Sequence, residues 1–185
     1  MKNDIDIIIS TVKKPNKNQA RRISSLQKVC FVNVDKGEVQ DDFYHPQALQ
    51  VLAYVDDLLV GWAGVHITTQ LYCNQKIKIG GYGICTDPYW QQKGIASKIV
   101  TEIMKYLSIK KCDIGFLSVN LKDGSSLALH KKYGFVMMDQ KFSWTDSKGK
   151  VKYDTGGMIT QINSKEIFNL VLNGNEPLFV GEGYW

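Results

Sequence analysis

Long apolar runs are missing from this sequence. The N-terminal one, Ile7 to Ile9, is broken off by Asp4 and Asp6 on its upstream side. A membrane span needs roughly 20 apolar residues, and the core of a signal peptide needs about 7–15. The expectation is therefore a cytoplasmic chain with no membrane partner. Cysteine is scarce and scattered: Cys30, Cys73, Cys85 and Cys112 form no C-x-x-C pair and have no histidine close by in sequence. Thiolate metal sites need ligands grouped at short spacing, so no metal is expected. Free thiols in a reducing compartment are the plainer reading. A strong charge of one sign is lacking too. The formal charge is +5, and the basic residues fall into short clusters, Lys13-Lys14, Arg21-Arg22, Lys110-Lys111 and Lys131-Lys132, without interleaved aromatics. That balance argues against nucleic acid as the main partner and suits a small polyanion. No internal repeat, low-complexity segment or second domain interrupts the chain. With 185 residues, 44% hydrophobic and 22% charged, it fits one globular domain spanning residues 1–185.

What is present centres on Gly80 to Leu107. An apolar segment, Tyr82 to Thr86, predicts a strand; Asp87-Pro88 follows, then the loop Gln91-Gln92-Lys93-Gly94-Ile95-Ala96. Ile95, Ile99, Val100, Ile103 and Leu107 then recur at helical spacing and predict a helix with one buried face. A strand, a glycine-bearing turn and a helix in that order make an anion site. The first N–H groups of a helix lack intrahelical acceptors and sit at the positive end of its dipole. Gly94, without a Cβ, lets a phosphate approach.

The run Gln91-x-x-Gly94-x-Ala96, with Pro88 upstream, resembles the pyrophosphate loop of the GNAT acetyltransferases. The segment Leu127 to Phe135, LALHKKYGF, is similar to the helix ending of the same family. The resemblance extends over roughly Gln50 to Ile162. It implies an α/β (α+β) GNAT fold: a central mixed, mostly antiparallel sheet, splayed between its fourth and fifth strands and flanked by helices. It also implies acetyl-CoA as acyl donor. Gln91, Gln92, Lys93, Gly94, Ile95 and Ala96 would hold the pyrophosphate, and Ile84, Cys85 and Thr86 would pair with the pantetheine arm. Lys131 and Lys132 are further candidates for the phosphates.

The remaining elements read in order. Asp6 to Val12 predicts a strand, and Lys17 to Val29 a helix. Gln50–Val55, Leu58–Tyr72 and Lys76–Thr86 predict a three-strand meander. Gly80, Gly81 and Gly83 mark a bulge or a close backbone approach in its third strand. Ile114–Asn120 predicts the strand beyond the splay, and Leu127–Tyr133 a helix capped by Asp or Ser and ended by Gly134. Val136–Trp144 and Val151–Ile162 predict two strands joined at Ser147-Lys148-Gly149. A helix over 164–172 and a tail, 173–185, close the chain. The connection 33–46 is expected on the substrate side, with Asp35, Glu38, Asp41, Asp42, Phe43 and Tyr44 as candidate contacts.

Acetyl transfer needs an aligned thioester and amine, a base, an oxyanion donor and an acid for the thiolate. Backbone N–H groups near Ile84 to Thr86 suit the oxyanion. Where the family commonly carries a tyrosine acid, four residues before the helix-ending glycine, this chain has His130, which is the expected general acid; Tyr133 ranks below it. The strand glutamate of many family members has no counterpart. Asp154, Glu182, the acids of the 35–42 loop and the terminal carboxylate of Trp185 are candidate bases. The C-terminal half also resembles the aminoglycoside 2′-N-acetyltransferases: Asp154 to Thr160 matches one of their strands, Ser118 has a similar place, and the sequence ends on Trp185. That resemblance implies Asp154, Glu182, Trp185 and Ser118 as substrate contacts. The expected function is transfer of acetyl from acetyl-CoA to a primary amine of a small molecule, aminoglycoside-like or otherwise, in a ternary complex. A protein or peptide N-acetyltransferase and a non-catalytic acyl-CoA sensor are the alternatives. A homodimer is compatible with any of them.

Overall fold

The computed structural model describes residues 5–31 and 49–183. Strand β1 (Ile7–Val12) and helix α1 (Lys17–Cys30) come first. Asn16 caps α1: its side chain accepts from Gln19 N at 2.9 Å while the Gln19 side chain accepts from Asn16 N at 2.9 Å. This reciprocal box satisfies two of the free donors at the helix start. After the connection come β2 (Leu49–Val55), β3 (Leu58–Tyr72) and β4 (Gln75–Thr86), an antiparallel meander. A short 3-10 turn (Pro88–Trp90) leads to α2 (Ile95–Ile109), β5 (Ile114–Ser118) and α3 (Gly124–Lys132). Then follow β6 (Val136–Met137), β7 (Phe142–Thr145), β8 (Val151–Asp154), β9 (Gly157–Gln161), α4 (Lys165–Leu172) and β10 (Leu178–Glu182).

The main sheet has seven strands in the order β1-β2-β3-β4-β5-β9-β6, antiparallel except for β4 and β5. Those two run parallel and pair only from Ile79 with Ile114 to Gly81 with Phe116. Beyond that point β4 continues alone on this side to Thr86. Gly80, inside the paired stretch, is where α2 packs closest to β4. A Cβ on Gly80 would overlap Leu107 Cδ2 and reach Cys112 Sγ at 3.0 Å, so only glycine lets α2 lie this close.

Side chains alternate across the sheet. Val51, Ala53, Ala63, Val65 and Tyr82 meet the α2 stripe of Ile95, Ile99, Val100, Ile103 and Leu107, all buried as the spacing predicts. Leu52, Leu59, Trp62 and Cys85 face the other way and pack on Ile23 and Leu26 of α1. A third cluster holds the C-terminal part together, with Phe116, Phe142, Ile167, Val171, Leu178 and Val180 at its centre.

The C-terminal strands depart from the expectation. The segment 136–144 is two strands: β6 pairs with β9 in the main sheet, whereas β7 belongs to a separate three-stranded sheet ordered β10-β7-β8. The segment 151–162 divides likewise into β8 and β9. The change of sheet occurs at Gly156, whose φ of +81° suits glycine and whose missing Cβ would stand 2.8 Å from Val119 O. The turn at Ser147-Lys148-Gly149 is as expected, with Asp146 Oδ1 accepting from Lys148 N and Lys150 N at 3.0 and 2.8 Å. Within the expected tail, 178–182 is strand β10, parallel to β7. The contacts expected from Asp35, Glu38, Asp41, Asp42, Phe43, Tyr44 and Trp185 lie outside the described residues.

Candidate functional site

A cleft of about 410 Å³ opens where β4 leaves β5. Its walls come from four elements. Ile84, Cys85 and Thr86 supply the end of β4; Trp90, Gln91, Gln92, Gly94, Ile95, Ala96 and Ser97 supply the loop and first turn of α2. Helix α3 and its N-cap contribute Asp123, Ser125, Ser126, Leu129 and His130, and the end of α1 contributes Cys30 and Phe31. Eight of the nine residues expected to hold an acyl-CoA therefore line one cavity. The ninth, Lys93, places its ammonium 4.3 Å from the ring centre of Trp90, beside it.

The loop geometry comes from two left-handed residues. Gln92 has φ +60° and Gly94 φ +82°, and the pair turns the chain so that α2 starts at Ile95. Gly94 is an N-cap without a side-chain cap; the first helical donor is Lys98 N, to Gly94 O at 3.1 Å. The N–H groups of the first turn are thus left for an external acceptor. A Cβ at Gly94 would meet nothing within 4 Å, so the space above this turn is open. Such a turn fits the pyrophosphate of an acyl-CoA. The main-chain edge of β4 past Gly81 fits an extended amide-bearing arm.

His130 is 2% exposed yet lines the cleft. Tyr82 and Phe135 lie against it, with ring centres 5.8 and 5.7 Å away. Its Nδ1 stands 2.8 Å from Ser126 O. A carbonyl oxygen only accepts, so Nδ1 carries the proton and Nε2 is a bare lone pair. Nε2 is buried without a hydrogen-bond partner among the described residues. Burial holds the imidazole below its ordinary pKa of 6.5, against the opposing pull of the Ser126 carbonyl and the Asp123 charge. At neutral pH the residue is ready to accept a proton at Nε2 rather than to donate one, the reverse of the starting state a general acid needs.

Tyr133 has a different task. Its hydroxyl donates to Ser97 O at 2.6 Å and lies 3.0 Å from Thr101 Oγ1, tying α3 to α2. The one carboxylate among the described lining residues is Asp123. Its Oδ1 accepts from Ser125 Oγ at 2.7 Å and from Ser125 N and Ser126 N at 3.1 Å each. The Ser125 hydroxyl, followed by these N–H groups, keeps its carboxyl below the usual range, and its Oδ1 caps α3.

Asp154, Glu182 and Ser118 do not line the cleft. Asp154 ends β8 opposite Phe142, Glu182 ends β10 opposite Thr145, and Ser118 ends β5 opposite Gly157. Sequence reasoning missed Cys30, Phe31, Trp90, Ser97, Asp123, Ser125, Ser126 and Leu129 as cleft residues. The α3 start was legible as a cap, but only the splay brings it opposite β4. Nothing local marks the end of α1.

The model of the acetyltransferase (GNAT) family matches residues 20–135. An L-amino acid N-acetyltransferase of Escherichia coli (strain K12), AaaT, is 26% identical over 95 residues, covering 49% of this chain and 54% of the relative. The chain thus spans about half the length of that curated relative. Among solved structures, the ribosomal-protein-S18-alanine N-acetyltransferase of Escherichia coli superposes with a TM-score of 0.55 at 12% identity, over 85% of this chain and 94% of that one. A NatC complex bound to Gag peptide and CoA gives 0.61 at 15% identity, over 85% and 99%. At these identities the two structures speak for the fold alone.

Proposed function

Since the chain belongs to the GNAT family of acetyltransferases, we propose that it transfers an acetyl group from acetyl-CoA to a primary amine of a small molecule, by direct attack in a ternary complex. The observation that carries this reading is the shared cleft of the β4 edge, the α2 turn and His130. The curated relative, an L-amino acid N-acetyltransferase by name, favours a small amine over a protein acceptor.

In this reading the N–H groups of Ile95, Ala96 and Ser97 bind the pyrophosphate, with Gln91 and Gln92 beside them. Ile84 to Thr86 align the thioester arm, and a backbone N–H of that strand donates to the oxyanion. His130 Nε2 takes the proton from the attacking nitrogen as the C–N bond forms. The same proton then passes to the sulfur as the C–S bond breaks, so one imidazole serves as base and afterwards as acid. This places the work of both the absent strand glutamate and the absent tyrosine on a single group. The amine must arrive near its neutral form, because a single buried base accepts one proton per turnover.

The test is free-thiol release from acetyl-CoA with L-amino acids, polyamines, aminoglycosides and a lysine peptide. Turnover with a small amine supports the proposal, and aminoglycoside turnover would give the finer acceptor class. Turnover with the peptide alone would replace the small-molecule reading by a protein one. Acetyl-CoA that raises the melting temperature without turnover of any amine would favour a sensor.

A further inference from the structure

Two thiols that acetyl transfer does not use lie in the same wall of the cleft. Cys30 ends α1 and Cys85 is the penultimate residue of β4. Both line the cavity, and Cys30 packs against the apolar cluster that holds Cys85. They lie among Leu26, Leu59 and Trp62, on the face of the sheet turned away from α2. By strand alternation Cys85 points to α1, while Ile84 packs into the α2-side cluster. The other two cysteines differ: Cys73 is exposed and Cys112 is buried in the α2 cluster.

The two members of the pair are unequal. Cys30 is half-buried, and the Cys85 side chain stabilises its thiolate, holding its pKa below the ordinary value of 9.0. Cys85 is buried, and the effect of Cys30 on it, together with burial, pushes its own thiol well up. A half-buried sulfur with the more available thiolate, with a second, buried sulfur in the same wall, is the arrangement of an attacking and a resolving cysteine.

We propose that Cys30 and Cys85 form a modification site that closes to a disulfide when hydrogen peroxide enters the cleft, and that this cross-link slows acyl transfer by pinning the end of α1 to β4. The Cys30 thiolate attacks one peroxide oxygen, giving a sulfenic acid and releasing hydroxide, which is protonated to water. Cys85 sulfur then attacks the sulfenic sulfur; the S–S bond forms, the Cys85 proton leaves with the hydroxyl, and a second water is released. Two thiols are oxidised and one peroxide is reduced. The bond acts where it matters because Cys85 stands between Ile84 and Thr86, and Cys30 precedes Phe31, which also lines the cleft. The effect on turnover rests on the acetyltransferase reading; the cross-link does not.

The experiment treats the full chain with hydrogen peroxide, blocks remaining thiols and maps them by peptide mass spectrometry. The expected product is a Cys30–Cys85 disulfide with Cys112 still free, formed equally in Cys73→Ser, absent in Cys30→Ser and Cys85→Ser, and reversed by a dithiol reductant. Over-oxidation of Cys30 without a cross-link, or equal protection of Cys30 in Cys85→Ser, would overturn the site. In parallel, acetyl-CoA turnover by the oxidised chain should fall at least about tenfold and recover on reduction, with Cys85→Ser insensitive to peroxide. A disulfide that leaves turnover unchanged overturns the gating. If neither form turns over any amine, the acetyltransferase reading fails while the mapped disulfide still stands.

Discussion

The cleft half of the molecule and its C-terminal part are built by different kinds of information. From β4 through α2 every step is local: a strand, two left-handed residues at Gln92 and Gly94, and a helix whose five stripe residues are all buried. The C-terminal part is built by pairing at a distance. β7 takes β10 as its parallel neighbour across 142–178 in sequence, and β8 and β9, joined through Gly156, go to different sheets. Local order makes a site that can be read as a motif. Distant pairing makes a support whose strands reveal their partners only when folded. It follows that the first region should fail in turnover and the second in stability.

The largest expected effect is at His130. His130→Gln should lower the rate of thiol release by about 10²–10⁴ with little change in acetyl-CoA affinity. The pH dependence sharpens it. The folded imidazole has a pKa below 6.5, so a base loses rate as pH falls through that lowered value and holds a plateau above it. A rate that instead declines as pH rises would return His130 to the role of acid. Stability follows the same sign: the unfolded chain binds the proton more readily, so the contribution is full above about pH 6.5 and is lost below it. Denaturant midpoints between pH 5 and 7.5 for wild type and His130→Gln would show it.

Phe142→Ala, in the C-terminal cluster, should cost about 3–5 kcal/mol of unfolding free energy while leaving the dissociation constant for acetyl-CoA within about twofold. A variant that stays folded yet loses acetyl-CoA affinity would break the division between the two regions. Gly80→Ala tests the seam where they meet. Its Cβ would press on Leu107 and Cys112, and overpacking of this kind costs about 1–3 kcal/mol, read from chemical denaturation. The smallest effect on folding is expected from Gly94→Ala. Nothing crowds the added methyl, so only the left-handed backbone is penalised, by about 1–2 kcal/mol. Its affinity for acetyl-CoA, measured by calorimetry, should fall further than its stability, because the methyl occupies the space above the α2 turn.

Particular residues show how far each region was legible. The α2 stripe, the Asn16 start of α1 and the turn at Asp146 follow from short-range chemistry, namely helical period, a capping box and an Asx turn. The splay was expected from a resemblance; the close approach of Leu107 to Gly80 is a packing fact. His130 was identified by position, but its proton was not. Which nitrogen carries it depends on the Ser126 carbonyl one turn earlier and on the burial that Tyr82 and Phe135 impose. The sequence left the cap of α3 to Asp or Ser, and the three hydrogen bonds to Asp123 Oδ1 decide for Asp123.

The sequence by itself determined an α/β unit organised on a strand, a glycine turn and an amphipathic helix, because those signals are carried by residues within a few positions of one another. Only the tertiary structure decided that the strands of 136–162 serve two sheets, that 178–182 is the edge of one of them, and that Cys30 and Cys85 share a wall of the cleft. Each of these joins residues tens of positions apart, and such pairings are selected by the burial of whole faces rather than by any local preference.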